Sequence, residues 1–287
     1  CPNSERRSCH VTSKMWLLGT SFFVGIIAFG CSEIWAQDPG ETGFHASVDG
    51  QFRYGNIGGF VQIPRGGGVG TTSNERPKFD EIGINQAAIG APSVTLGWNN
   101  HNIYGVARII RLSGSDDLDT TLISNGTTFP AGTHISGNTR LDWYGLGYEY
   151  RFAYKYNNEG SIVSFYPAIG FALLNFDYNL NGTPGLSASR SFAKAAPQLG
   201  LKSEWIPGGP FSVSAGVLSS LPFSTLPLLL SVDLTVGYQL WGRHDHGGIA
   251  YLGIGYDRID EEDNQKVSNH IKASIGPELV VGIKVNF

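Results

Sequence analysis

The chain is short of charge, of thiols and of long apolar runs, and each shortage closes off a class of protein. Charged residues make up 15% of its 287 residues and the net charge is -4, so it lacks the basic surface that a nucleic-acid partner demands. Its three cysteines, Cys1, Cys9 and Cys31, all lie near the start. From residue 32 onward a disulfide, a thiolate metal site and a cysteine nucleophile are all excluded. No stretch of the body approaches the roughly 20 apolar residues that a membrane helix needs. What the chain does have is 39 glycines and 12% aromatic residues. A weakly charged chain of that kind points to many short strands.

Residues 1–36 read as an export signal with an upstream extension, leaving 37–287 as one domain. Arg6, Arg7 and Lys14 supply a positive region, 16–30 (WLLGTSFFVGIIAFG) the apolar one, and 31–37 (CSEIWAQ) a cleavage region. Met15 is the sole methionine and marks the expected translation start. A twin-arginine reading of Arg6-Arg7 lacks the flanking residues. A lipobox ending at Cys31 has Ala28 where Leu is usual.

The body alternates with period 2, as strands with one apolar face do. Over 44–54, Phe44, Ala46, Val48, Phe52 and Tyr54 alternate with His45, Ser47, Asp49, Gln51 and Arg53. Tyr144, Leu146, Tyr148, Tyr150 and Phe152 share a face opposite Glu149 and Arg151. Similar rows run through 193–205, 211–217, 230–240 and 279–287. Weaker alternation covers 82–98, where Pro92 predicts a bend or bulge, and 103–112, where Arg108 and Arg111 fall on opposite faces. It also covers 162–176 and 249–260. The count is about ten strands, with eight or twelve as alternatives.

Connections sort by length. After the second, fourth, sixth and eighth strands they are short (99–102, 155–160, 207–210, 243–247). After the first, third, fifth and ninth they are longer (55–78, 113–138, 179–190, 261–269). Short turns on one side and longer loops on the other mark a closed antiparallel transmembrane barrel in an outer membrane, with the short turns periplasmic. The aromatics Trp98, Tyr104, Tyr150, Phe152, Trp205, Phe211, Tyr238 and Phe287 lie where strands meet the short turns, forming an interface girdle. Trp241 falls in the inward row by parity, an exception or a local bulge.

The last strand, LVVGIKVNF, has Leu279, Val281, Ile283, Val285 and Phe287 in one row. With the export signal and the alternating strands, it resembles bacterial outer-membrane β-barrel proteins. That resemblance covers roughly 43–287 at the level of architecture. It implies that these five residues form the signal read by the barrel-assembly machinery. It implies outer-membrane lipid and lipopolysaccharide as surroundings. It does not point to a subfamily.

By parity the lumen receives Arg53, Arg151, Lys194, Lys202, Lys272 and Lys284, and Asp49, Glu149, Glu204, Asp233 and Glu278. Cross-strand ion pairing is the natural outcome, since unpaired charge in a narrow barrel is costly. Ten strands favour a plugged or very narrow lumen over a wide channel, leaving passage of a small solute as the minor alternative. His244-Asp245-His246 has two metal-ligand side chains but no further ligands, and a solvated turn is the plainer reading. His134 beside Asp116, Asp117 and Asp119, and His270 near 260–263, reproduce no hydrolase spacing. These acidic stretches, and Arg65, Arg76 and Lys78, are candidates for divalent-cation or lipid-phosphate contact. The glycine run 66–70 lacks the residues of a phosphate-binding loop. The expectation is a non-enzymatic outer-membrane barrel without cofactor or metal, in a structural or narrow-pore role. Adhesion through the long loops is the alternative, and a membrane-embedded hydrolase a third.

Overall fold

A computed structural model describes residues 43–63, 76–155, 161–221, 223, 225–263 and 268–287. The export signal, Arg65 and the glycine run 66–70 lie outside the described residues.

The strands are β1 (Phe44–Gln62), β2 (Gln86–Trp98), β3 (His101–Asp117), β4 (Leu122–Ser124), β5 (Thr127–Phe129), β6 (His134–Tyr150) and β7 (Phe152–Lys155). They continue as β8 (Ile162–Gly182), β9 (Leu186–Ile206), β10 (Phe211–Ser220), β11 (Leu228–Gly242), β12 (Gly247–Glu262) and β13 (His270–Asn286). β6 and β7 both pair with β8 and form one stave broken at Arg151. β4 and β5 are a small separate hairpin between β3 and β6. The remaining antiparallel pairings run from β6 through β3, β2, β1 and β13 back to β8, and β6–β8 closes the ring. The result is a closed ten-stranded barrel. Closure leaves no unpaired sheet edge, which is what allows strands to stand in lipid.

The lower part of the wall carries its apolar row outward. Leu146 is 64% exposed and Phe171 69%, with Val94, Ile103, Leu234, Ile254 and Ile283 similarly open. On β6 and β7 the row runs from Tyr144 to Tyr154. Ten residue steps of about 3.3 Å, tilted by about 40°, span about 25 Å of membrane normal, the height of a hydrocarbon band.

Above that band the apolar row changes sides. On β8, Phe165, Ile169, Phe171 and Leu173 face out, whereas Leu174, Phe176, Tyr178 and Leu180 are buried inside. β1 goes from Phe52 and Tyr54 outside to Ile57 and Val61 inside, and β12 from Ile254 to Ile259. The outer half of the barrel is therefore built like a soluble β-protein, with an apolar interior that includes Ile89, Ile110, Leu141, Trp143, Leu229 and Ile275. Burial there offsets the cost of ordering strands that no longer touch lipid.

Several expectations need correction. Three outer connections, 118–133, 183–185 and 263–269, are shorter than alternation suggests, because strands continue past the lipid band. β8 and β9 extend to Gly182 and Leu186, leaving a turn where a loop over 179–190 was expected. The start of the segment 82–98 is not strand: Asp80–Ile82 is a 3-10 turn, and β2 begins at Gln86. Pro92 causes no register shift on β1, but the β2–β3 ladder is interrupted beside it, between Gly90↔Ile109 and Ser93↔Val106. Proline has no N–H to give there. Lys272 faces outward, not into the lumen. A bulge at Gly276-Pro277 puts the β13 register out of step between Ile275 and Glu278, so the residues before it change face. Tyr104 turns inward and is 8% exposed, while its neighbour Ile103 takes the outer position. Trp241 is outward because a bulge separates it from Gln239, and its ring occupies the space where a Cβ on Gly248 would sit.

Candidate functional site

The lumen is layered, and the candidate site lies in its lower half. Its periplasmic layer joins β1, β3 and β6: the His45 ring nitrogen Nε2 lies 2.8 Å from Asn102 Oδ1, and Asn102 Nδ2 donates to Glu149 Oε1 at 3.1 Å. Arg151, at the break between β6 and β7, donates from Nε to Ser164 Oγ at 3.4 Å.

Above this layer is a polar chamber of about 190 Å³. Asp49, Lys202, Glu204, Asp233 and Lys284 line it, with Tyr104, Tyr166, Tyr251 and hydroxyls from Ser212, Ser214 and Thr235. Period-2 alternation brings these groups in, one or two per strand. Asp49 and Lys284 are cross-strand partners, and Tyr251 Oη donates to Asp49. Tyr166 Oη donates to Glu204 at 3.4 Å, and the Lys202 ammonium sits 5.3 Å from the Tyr166 ring centre. A chamber with so many donors and acceptors suits several ordered waters.

The next layer is a buried ion network. Arg53 is wholly buried on β1. Its Nη1 donates to Asp257 Oδ2 at 3.0 Å and to Ser231 Oγ at 2.8 Å, and its Nη2 to the Val232 carbonyl at 3.1 Å. Its Nε lies 3.0 Å from Glu278 Oε2, and Asp257 and Glu278 side chains are both 0% exposed. Arg108 joins from β3, 4.0 Å from Asp257, with its guanidinium 5.5 Å from the Trp143 ring centre. Asp233 stands 4.0 Å from Arg53. Directly above begin the buried Ile57, Ile89, Ile110 and Trp143 of the apolar interior. Higher still, Lys194 pairs with Glu261 across the barrel.

The lumen charges anticipated from parity thus fall at different heights. Asp49, Lys202, Glu204, Asp233 and Lys284 line the chamber, and Glu149 reaches its lower edge. Arg53 and Glu278 meet in the network, and Lys194 pairs with Glu261 above it. Three members were missed: Arg108, Asp257 and Glu261. Asp257 and Glu261 share odd parity with Ile249 and Ile259, which was a usable signal. Gly253 and Gly255 blur the row that would have shown it.

The interface aromatics Trp98, Phe152, Trp205, Phe211 and Tyr238 are exposed at the short-turn end, with Tyr150 packed edge-on against Phe152 at 4.7 Å. Leu279, Val281 and Ile283 face outward, and the Phe287 backbone N–H donates to the Ala46 carbonyl at 2.9 Å. In the turn after β11, His244 Nε2 lies 3.0 Å from the Gly209 carbonyl, and Arg243 pairs with Asp245 at 3.3 Å. Among the described residues no group of three or more His, Cys, Asp or Glu is placed to hold a metal ion. Two His–Asp pairs stand on the outer wall: His134 with Asp117 at 2.6 Å and His270 with Asp260 at 3.0 Å. The hydrogen bond from His270 and the one from Arg258 hold the Asp260 carboxyl below the usual carboxylate range, well beyond the lipid band.

No protein-family model matches the chain, and no curated protein matches it by sequence. Solved structures do align. The attachment invasion locus protein Ail of Yersinia pestis, in complex with the heparin analogue sucrose octasulfate, is 14% identical, with 86% of this chain and 100% of that one covered and a TM-score of 0.38. The outer membrane protease OmpT from Escherichia coli is 11% identical, with 89% and 100% covered and a TM-score of 0.40. Neisserial surface protein A is 12% identical, with 86% and 98% covered and a TM-score of 0.29. These likenesses are distant and assign no activity. The barrel's closure, its lipid-facing band and its aromatic girdle stand on the chain's own residues. What the chain's own residues establish is the fold: a closed antiparallel β-barrel with an outward apolar band and an aromatic girdle at its short-turn end.

Proposed function

We propose that the protein is a non-enzymatic, closed outer-membrane barrel whose role is carried by its wall and outer end rather than by solute passage. One observation carries this reading: the apolar interior above the ion network. Ile89, Ile110, Leu141, Trp143 and Leu174 are each 0% exposed, and a hydrated solute crossing that layer would shed its water without a polar replacement. The chamber below it then acts as a blind vestibule that hydrates the network. The His–Asp pairs support no hydrolytic reading, because both stand on the outer wall instead of converging in a cleft.

Reconstitution into planar bilayers tests this. Folded protein, identified by its heat-dependent gel mobility, is expected to give no steady unitary conductance. A steady conductance step carried by the folded form overturns the closed reading and restores the narrow pore.

A second reading has its own support. The strands project beyond the lipid band as a packed outer body, with exposed Ser136, Asn138, Asn179 and Asn181 on neighbouring staves. Such a rigid polar face suits binding at the cell surface.

A further inference from the structure

We infer that the outer wall at β3 and β6 carries a phosphate-binding site for outer-leaflet lipopolysaccharide, built on Arg111 and Arg140. These two arginines are direct cross-strand partners. Both face outward, since Ile110, Leu112, Thr139 and Leu141 on either side of them are buried within. Like charges placed opposite each other on neighbouring strands are unfavourable; Asp142 and Asp177 offset Arg140, and Arg111 is left as the cation without a carboxylate partner among the described residues.

The height of the pair selects the anion. Tyr144 and Leu173, themselves partners, form the last outward row of the lipid band. Arg140 stands four residues above it, about 10 Å along the normal at the strand's rise and tilt. Arginine reaches much of that distance, and lipid phosphates lie at the top of the hydrocarbon.

The local geometry aims the site. The β3–β6 ladder is interrupted between Arg108↔Trp143 and Arg111↔Arg140. Asp142 enters that break, is 2% exposed, and accepts from the Ile110 backbone N–H at 2.8 Å. Its other oxygen holds Arg140 Nε at 3.1 Å. Asp142 lies on the membrane side of Arg140, so the ion pair draws the half-exposed guanidinium toward the lipid band. Among the described residues Asp142 is the ion-pair partner of Arg140, and no carboxylate pairs with Arg111. A shallow groove of about 280 Å³ lies at the pair, where Ser113 and Asn138 add neutral donors. Asp177, the partner of Arg140 on β8, bounds it on the far side. Two forked guanidinia with neutral donors beside them fit a phosphate monoester better than a carboxylate, whose oxygens occupy only one fork.

The inference rests on outer-membrane placement and not on the closed lumen, so a conducting barrel would leave it standing. The test is native mass spectrometry of the folded barrel with bisphosphorylated lipid A, dephosphorylated lipid A and inorganic phosphate. The wild type is expected to retain bisphosphorylated lipid A, and R111Q/R140Q to weaken that binding about tenfold or more, the scale of one lost charge-assisted contact. Dephosphorylated lipid A is expected to bind wild type no better than the phosphorylated form binds the variant. K272Q, on β13, is expected to change nothing. Equal binding by wild type and variant, or equal binding of both lipids, overturns the site. Displacement by millimolar inorganic phosphate overturns its assignment to lipid.

Discussion

Arg53→Gln tests the ion network at its centre. The substitution removes the cation that lies 3.0 Å from Glu278 and one of two arginines near Asp257, while both carboxylates stay fully buried. Arg108 remains 4.0 Å from Asp257, so part of that carboxylate's compensation survives, whereas Glu278 loses its partner. Breaking a buried pair from one side costs about 3–5 kcal/mol, chiefly through the stranded charge. Two further hydrogen bonds, to Ser231 and Val232, also go. The expected loss is therefore about 3–5 kcal/mol, read by reversible urea unfolding in lipid vesicles through tryptophan emission. Adding Glu278→Gln to the variant is expected to return a sizeable part of it, because the second change removes the charge that the first one exposed. A loss below about 1 kcal/mol for Arg53→Gln, the range of an exposed pair, would refute the reasoning. So would strict additivity of the two changes.

Three other outcomes follow from the same structure. Leu146→Arg, inside the lipid band, is expected to lose about 2–4 kcal/mol or fail to insert, while Asn138→Arg, above the band on the same strand, is expected to fold normally; the reverse order in a vesicle-folding assay would misplace the boundary. Gly59→Ala is expected to destabilise the β1–β13 wall, because Gly59 has φ +130° and a Cβ there would lie 1.9 Å from the Lys272 carbonyl oxygen; unchanged thermal unfolding would contradict it. Asp260 is held below its usual carboxylate range, so its contribution to the outer end of β12 and β13 is present above about pH 4 and fades as pH falls through its folded value. Hydrogen exchange at that end should show the fading in wild type and not in Asp260→Asn.

Much of the fold is legible in single strands. The rows through 44–54, 144–152 and 230–240 place their residues on the faces that the barrel gives them, and ten strands is the number found. Parity counting fails where the backbone inserts a residue. Parity counted straight through Gly276-Pro277 puts Lys272 inside, although a proline within a strand is itself a bulge signal. The pairing of Arg53 with Asp257 spans 204 positions, and only closure of the ring brings them together. The apolar outer interior was missed for a different reason. In FALLNFDYNL the apolar positions pass from odd, at Phe171 and Leu173, to even, from Leu174 to Leu180. Read as one row, that step looks like weak alternation. Read as a change of phase, it marks the height at which lipid ends.

The long β8–β9 pair has a consequence for anything attached to it. Its turn at 183–185 stands eleven residues beyond Leu173, about 28 Å above the lipid-facing rows at the same rise and tilt. The two strands are hydrogen-bonded all the way to that tip, from Ile162↔Ile206 to Gly182↔Leu186. A peptide spliced between them would ride on a stiff mast instead of a tether. It would be offered to a neighbouring cell at a fixed height and bearing, and the barrel would serve as its socket.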